Sequence, residues 1–374
     1  MIDPFAPGNS GERRSTAPVF ALERRERILA QLRHAGSVKV SDLAAALGVS
    51  ELTVRRDIGA LADLGLLSRV HGGAVERSPL DTTSPRAIQG PVPPRYRIGA
   101  VVPSLRYYWP QVVLGARTAA ASLGAQLVLR GASYDIADQR RQIGSLLAAA
   151  DVHGLLVAPE TDGPDAHALL DWLRQLPVPV VLVERTVPPA LRYLTLEWAR
   201  TDHGFGGVLA VRHFAERGHL RMGIVTSTRS PTSRHLRIGW QTALGELGVE
   251  GVVDMDLGDE LEDEVGDHPL IDEVLEQVQR SGCTALLVHS DRHALLIQQR
   301  AADLGWDMPD ALALIAYDDE LAASGHPPIT ALGPPKQQLG RAAVELIVAR
   351  LREPGKPKQR IDLLPDLRVR ESSR

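Results

Sequence analysis

Arg55 and Arg56 stand side by side in the run Ser50-Glu51-Leu52-Thr53-Val54-Arg55-Arg56-Asp57-Ile58, with Glu51 and Thr53 just before them. A guanidinium group can bond bidentately to a guanine edge or bind a phosphate, and a threonine near a helix start can reach base edges or backbone. A second chemistry-bearing group is Tyr107-Tyr108-Trp109, three consecutive aromatics in a chain that is 4% aromatic. Such rings offer an apolar wall to a flat ligand, while nearby carboxylates and guanidinium groups would bond its hydroxyls.

The arginines need a protruding helix, and the local pattern supplies one. Residues 21–33 carry Ile28, Leu29 and Leu32 on one helical face, and Ala35-Gly36 ends that segment. Ser41 is expected to cap a second helix over Asp42–Leu47, closed by Gly48. Ser50 is expected to cap a third over Glu51–Leu66, with Val54, Ile58, Leu61 and Leu64 on its apolar face. Glu51, Thr53, Arg55, Arg56 and Asp57 lie off that stripe. A connection of only Gly48, Val49 and Ser50 forces a sharp crossing, the geometry that lets a helix enter a major groove. The following stretch, Leu66 to Val75, turns at Gly72-Gly73 and reads as a small hairpin, or wing. Arg69 and His71 on it are placed to touch a sugar-phosphate backbone.

The run Ser50 to Ile58, followed by Arg69-Val70-His71-Gly72-Gly73-Ala74, resembles the DNA-binding domain of DeoR-type regulators over residues 21–77. The resemblance implies a winged helix-turn-helix that binds double-stranded operator DNA, with Ser41, Ser50, Glu51, Thr53, Arg55, Arg56, Arg69 and His71 as its contact residues.

A chain of 374 residues leaves nearly 300 for something other than this small reader. The net charge of −4 is split: residues 1–90 hold 12 Lys plus Arg against 10 Asp plus Glu, and the rest is acidic. DNA binding would therefore rest on a few placed arginines and on dimerisation. The lone Cys283 excludes an internal disulfide, and neither a secretory signal nor a membrane-length apolar run is present, so a cytoplasmic protein is expected. Residues 1–20 read as a disordered tail, and the proline-rich stretch 78–95 reads as a linker.

From Tyr96 to the end, residues 96–374, the pattern becomes α/β. Strands are expected at Arg97–Val102, Gln126–Leu129, Gly154–Ala158, Val178–Val183, Arg221–Thr226, Gly251–Asp254, Thr284–Val288 and Ala311–Ala316. Alanine- and leucine-rich helices separate most of them, which predicts doubly wound parallel sheets with a ligand at the C-terminal strand ends. Leu182-Val183-Glu184-Arg185, Asp202 with Gly206-Gly207, Gly218-His219, Arg237-Ile238-Gly239-Trp240, Val288-His289-Ser290-Asp291 and Ile315-Ala316-Tyr317-Asp318-Asp319 occur in order. With the final Leu364-Pro365-Asp366-Leu367-Arg368-Val369-Arg370-Glu371-Ser372, this is similar to the ligand domain of lactose- and galactose-repressor-type (LacI/GalR) regulators.

That resemblance implies a two-lobed, periplasmic-binding-protein-like fold, crossed by the chain near Thr201, Leu332 and Leu363. It also implies a homodimer and a sugar-like or glycoside effector between the lobes, with no cofactor, metal or membrane partner. By family position the ligand would meet Asp318, Asp291, Glu184, Arg185 and the aromatic wall Tyr107, Tyr108 and Trp109. Arg237 would meet a hydroxyl or carboxylate, or Arg234 in its place, because Arg237 lies one residue nearer Gly239 than is usual. The proline-rich linker replaces the family's short hinge helix, and Gly333-Pro334-Pro335 stands where a polar ligand contact is common. An enzymatic body that processes sugar phosphates is the alternative, but no phosphate loop, metal cluster or activated nucleophile supports it.

Overall fold

The computed structural model describes residues 24–75 and 94–374, apart from 26, 30, 33–36, 64–66, 71, 104–106, 150, 229 and 259–268. The expected tail and nearly all of the expected linker lie outside the described residues, as does His71. The chain divides into two compact units, residues 1–91 and 92–374.

In the first unit, helical residues between 24 and 32 precede β1 (Ser37–Lys39), α1 (Val40–Leu47), α2 (Glu51–Asp63), β2 (Ser68–Val70) and β3 (Gly73–Val75). The strands form a three-stranded sheet in the order β1-β3-β2. Ile28, Leu29, Leu32, Leu43, Val54, Ile58 and Leu61 close one core, each such side chain contributing about 1.5–3 kcal/mol on full burial. Gly48 has φ 64° and returns its N–H to Ala44 O, ending α1 as its position predicts. The expected cap at Ser41 is corrected. Helix α1 begins two residues earlier than expected, at the buried Val40, because strand β1 runs straight into it and Val40 N bonds Gly72 O at 2.9 Å. The wing turn thus does what a serine hydroxyl would have done, and Ser41 Oγ donates to Asp42 instead, at 3.0 Å.

The second unit has two lobes. Lobe 1 contains β4 (Tyr96–Val102), α3 (Trp109–Ser122), β5 (Ala125–Gly131), α4 (Ile136–Ala149), β6 (Gly154–Val157), α5 (Pro164–Arg174), β7 (Val180–Val183) and β8 (Glu197–Thr201). Lobe 2 contains α6 (His203–Ala215), β9 (Arg221–Ser227), α7 (Pro231–Leu247), β10 (Glu250–Leu257), α8 (Pro269–Ser281), β11 (Ala285–Val288), α9 (Asp291–Asp303), β12 (Ala313–Tyr317) and β13 (Thr330–Gly333). The chain then returns to lobe 1 as α10 (Lys336–Arg352) and β14 (Arg360–Leu363), and ends in lobe 2 with β15 (Asp366–Arg368). The two sheets run β14-β8-β7-β6-β4-β5 and β10-β9-β11-β12-β13-β15. All pairings are parallel except β13 with β15. The three crossings fall at 201–203, 333–336 and 363–366, where the resemblance placed them.

Each sheet is buried on both faces, as parallel sheets require. Two close approaches organise lobe 1. Gly115 of α3 and Gly340 of α10 let these helices meet backbone to backbone: a Cβ on Gly340 would lie 2.0 Å from Val112 O, and one on Gly115 2.0 Å from Gln337 O. Arg350 of α10 then clamps Glu197 of β8, with Nε 3.1 Å from Oε2 and Nη2 3.0 Å from Oε1. Both groups are buried, so removing Glu197 would leave the Arg350 charge without its carboxylate, whereas Glu197 also has Lys358 at 3.5 Å and the N–H of Gln359.

Candidate functional site

In the reader, Ser50 Oγ accepts Thr53 N at 3.2 Å, the N-cap bond that starts α2. Glu51 and Arg55 pair across one turn at 2.8 Å, and both are exposed. Arg56 and Arg69 are exposed as well, and Arg69 Nη1 would lie 3.8 Å from a Cβ built on Gly59, which puts the wing arginine beside α2. Leu52, beside them, is 70% exposed. The sequence reading passed over it, yet an aliphatic tip at the start of such a helix is suited to a thymine methyl group. Asp57 departs from expectation. It is 1% exposed and accepts Arg24 Nε and Arg25 Nε, each at 2.9 Å, so it ties the first helical segment to α2 rather than facing a groove.

In the second unit, the C-terminal strand ends of both lobes face one cleft. Tyr107, Glu184, Asp318 and Asp319 all sit there with positive φ, 49°, 55°, 107° and 54°. Non-glycine residues hold this conformation only where their surroundings impose it. Glu184 is the centre. Its carboxylate accepts Thr201 N at 2.9 Å, Thr201 Oγ1 at 2.6 Å and the Tyr108 hydroxyl, and lies 3.3 Å from His203 Nε2. Burial alone would raise its pKa, but His203, Thr201 and Tyr108 hold it down to about 2. Tyr108 is pushed up by burial and by Glu184, so it remains a neutral donor.

From His203 the chain of bonds passes into lobe 2, where His203 Nδ1 lies 2.6 Å from the Tyr317 hydroxyl. His289 packs against Tyr317 with its ring tilted by 58° and the ring centroids 5.6 Å apart. Burial pushes its pKa down to about 3, helped by His293 and His203, which makes it a neutral imidazole. Its Nε2 lies 4.0 Å from Asp318 Oδ2. Lys336 Nζ bonds Asp318 O, pairs with Glu320 at 2.8 Å and lies 5.4 Å above the Tyr108 ring. Across the cleft, Arg292 stands 5.7 Å over the ring of Tyr107.

Glu184, Arg185, Tyr107, Tyr108 and Asp318 are therefore gathered at the cleft. The other candidates have different tasks. Trp109 is 5% exposed and packs into the core of lobe 1, edge-on to Tyr108. Asp291 is fully buried and accepts the backbone N–H groups of Asp319, Glu320, Leu321 and Ala322, fixing the turn after β12. Arg237 is held by Asp254 at 2.7 Å and Asp256 at 2.8 Å on β10, and it does not line the cleft cavity. Arg234 is exposed, 3.7 Å from Asp162. The sequence reading missed Thr201, His203, Tyr317 and Lys336 as cleft residues. Thr201 stood at an expected crossing and Tyr317 within a matched motif, and a lysine directly after Pro334-Pro335 was a further signal.

Among the described residues, the cleft holds a cavity of about 20 Å³ lined by Thr161, Glu184, Arg185, Thr186, Arg200, His203, Pro231, Thr232 and His235. That is room for a water, whereas sites for organic ligands span about 300 Å³ or more. A cavity of that size does not hold a sugar-sized molecule.

Comparison with known proteins agrees with both units. Residues 24–79 match the family model of the DeoR-like helix-turn-helix domain, and residues 211–373 match that of the periplasmic binding protein-like domain. The HTH-type transcriptional repressor PurR of Photobacterium profundum is 25% identical over 279 residues, covering 73% of this chain and 79% of that protein. The ribose operon repressor of Escherichia coli is 24% identical over 292 residues, covering 73% and 80%. Among solved structures, the lac repressor dimer bound to operator and the anti-inducer ONPF superposes with a TM-score of 0.63 at 21% identity, over 74% of this chain and 94% of that one. The chain joins a DeoR-like helix-turn-helix domain to a two-lobed domain of the periplasmic-binding-protein-like kind.

Proposed function

We propose that this protein is a sequence-specific, DNA-binding transcriptional repressor of the cytoplasm, a homodimer whose grip on its operator is set by a sugar-like molecule held between the lobes of residues 96–374. One observation carries the reading: a DeoR-like reader with an exposed arginine face precedes a two-lobed domain whose polar strand ends converge on one cleft. The relatives named above are repressors, one of them of a ribose operon. In the reader, Arg55, Arg56, Thr53 and Leu52 contact bases, and Ser50, Arg69, Ser41 and His71 hold the backbone. In the body, Glu184, Arg185 and Asp318 bond the effector, and Tyr107 and Tyr108 wall it. An effector controls DNA binding when it favours one arrangement of the lobes, and closing on a ligand in place of its own side chains is such a difference.

The test is fluorescence anisotropy on an operator selected from random duplexes by the full-length protein. Arg55→Ala and Arg56→Ala should each weaken binding by roughly tenfold or more, the worth of one bidentate base contact. The thermal shift given by an effector should stay as in wild type. Operator binding that ignores both arginines, or that no sugar or sugar derivative alters, would overturn the proposal.

A further inference from the structure

We infer that the effector carries an anionic oxygen group, a carboxylate or a phosphate, and that Arg185 receives it at the mouth of the interlobe cavity. This deepens the proposed function and rests on it, since it names the chemical class of the molecule in that same cleft.

Arg185 is 8% exposed, and its guanidinium makes one bond, from Nη1 to the backbone carbonyl of Glu184 at 2.9 Å. Its Nε is buried without a hydrogen-bond partner, and no carboxylate among the described residues lies within ion-pair distance of it. The neighbouring charges are matched. Arg200 is bound through Nε and Nη2 to Asp362, both at 2.9 Å, Arg234 faces Asp162 at 3.7 Å, and Glu184 is satisfied by Thr201, Tyr108 and His203. A buried cation without a counter-ion is costly, and burial of a charge is stable only when it is paired. Arg185 is therefore the group in this cleft that an incoming anion would relieve.

The remaining lining is suited to the same ligand. Thr161, Thr186 and Thr232 bring hydroxyl donors, and Thr232 and His235 lie on the first turns of α7, a 17-residue helix whose N-terminal end favours negative charge. Burial drives His235 down to about 4, and the nearby His203, Arg200 and Arg234 add to the effect against the opposing pull of Asp162. Glu184 is the one carboxylate in the lining, and in this arrangement of the lobes its oxygens are taken up by donors of its own network, which a bound effector would have to displace.

The experiment is a thermal-shift series on the full-length protein with inorganic phosphate, D-gluconate, D-ribose 5-phosphate, D-ribose and D-glucose, at ionic strength matched with sodium chloride. Specific anions should raise Tm by mass action, and Arg185→Gln should cut that shift at least about threefold. Thr232→Val, which removes one lining hydroxyl and no charge, should reduce it less, and it serves if Arg185→Gln fails to fold. Phosphate and ribose 5-phosphate acting without gluconate assigns the group as a phosphate, and gluconate alone assigns it as a carboxylate. No anion effect beyond sodium chloride, or an effect undiminished in both variants, overturns the inference. A shift with D-ribose or D-glucose alone would overturn it while leaving the regulator reading intact. An Arg185-dependent anion shift with operator binding unaltered would sink the regulatory reading but keep the site.

Discussion

His203 Nε2 lies 3.3 Å from Glu184 Oε2, so the first helical residue of lobe 2 meets the residue that follows the central strand β7 of lobe 1. The two lobes are thus joined at their first crossing by a buried, charge-assisted contact. Thr201 beside it gives both its N–H and its hydroxyl to the same carboxylate. Because the contact spans the hinge and lines the cavity, it responds to whatever moves the lobes.

The pair gives a pH signature. Glu184 is held at about 2 in the folded chain, below the value of about 4.3 expected when unfolded. Its contribution is therefore complete above the unfolded value and is lost as pH falls from about 5 towards 2. Glu184→Gln should lower stability at pH 7 by on the order of 2 kcal/mol. The gap from wild type should narrow to roughly half by pH 3 and close only towards pH 2. Calorimetric unfolding of both proteins from pH 7 to 3 decides it, and a constant gap throughout would mean that the glutamate acts by shape and not by charge.

Asp57 makes the equivalent prediction for the reader. It receives two arginines from the first helical segment while itself 1% exposed. Asp57→Ala removes the buried acceptor shared by Arg24 and Arg25 and breaks the tie to α2, which should cost the reader about 2–4 kcal/mol. The expected result is a separate, earlier melting transition and lost operator binding, with effector thermal shifts preserved. Operator binding at wild-type strength would show that this tie is dispensable.

The residues themselves explain why some of this was legible beforehand and some was not. Strands with long apolar runs, such as Tyr96–Val102 and Arg221–Ser227, lie within one residue of their expected ends. Strand β8 was missed because its sequence, Glu-Trp-Ala-Arg-Thr, is polar in alternation, and the buried Glu197 makes sense only once Arg350, 153 residues away, is beside it. Strand β13 is four residues long and flanked by Pro327, Pro328, Pro334 and Pro335, which read as turns. The same distance effect hid the cleft network. Asp291 and Asp318 are both acidic residues just past strand ends, and only the fold shows that the first is consumed by four backbone N–H groups while the second faces His289. Likewise, Arg237 had the residue type for ligand binding, but Asp254 and Asp256 on the adjoining strand claim it.

Helix α10 also escaped the sequence reading, since Pro334-Pro335 precedes it and Gly340 interrupts its first turns, and that glycine supplies a last prediction. Ordinarily, replacing a mid-helix glycine by alanine stabilises by about 1 kcal/mol, because the helix loses a flexible residue. A Cβ added to Gly144 in α4 would meet nothing within 4 Å, so Gly144→Ala should show that gain. At Gly340 the same methyl would stand 2.0 Å from Val112 O and 2.7 Å from Ala116 N. These are backbone atoms of a packed helix and cannot swing aside, so α3 and α10 must separate and loosen the lobe 1 core between them. Overpacking of this kind costs about 1–3 kcal/mol or more, enough to cancel the helical gain and reverse its sign. Denaturant midpoints of the two variants should accordingly move in opposite directions from wild type; movement in the same direction would mean that α3 and α10 are not held at this separation.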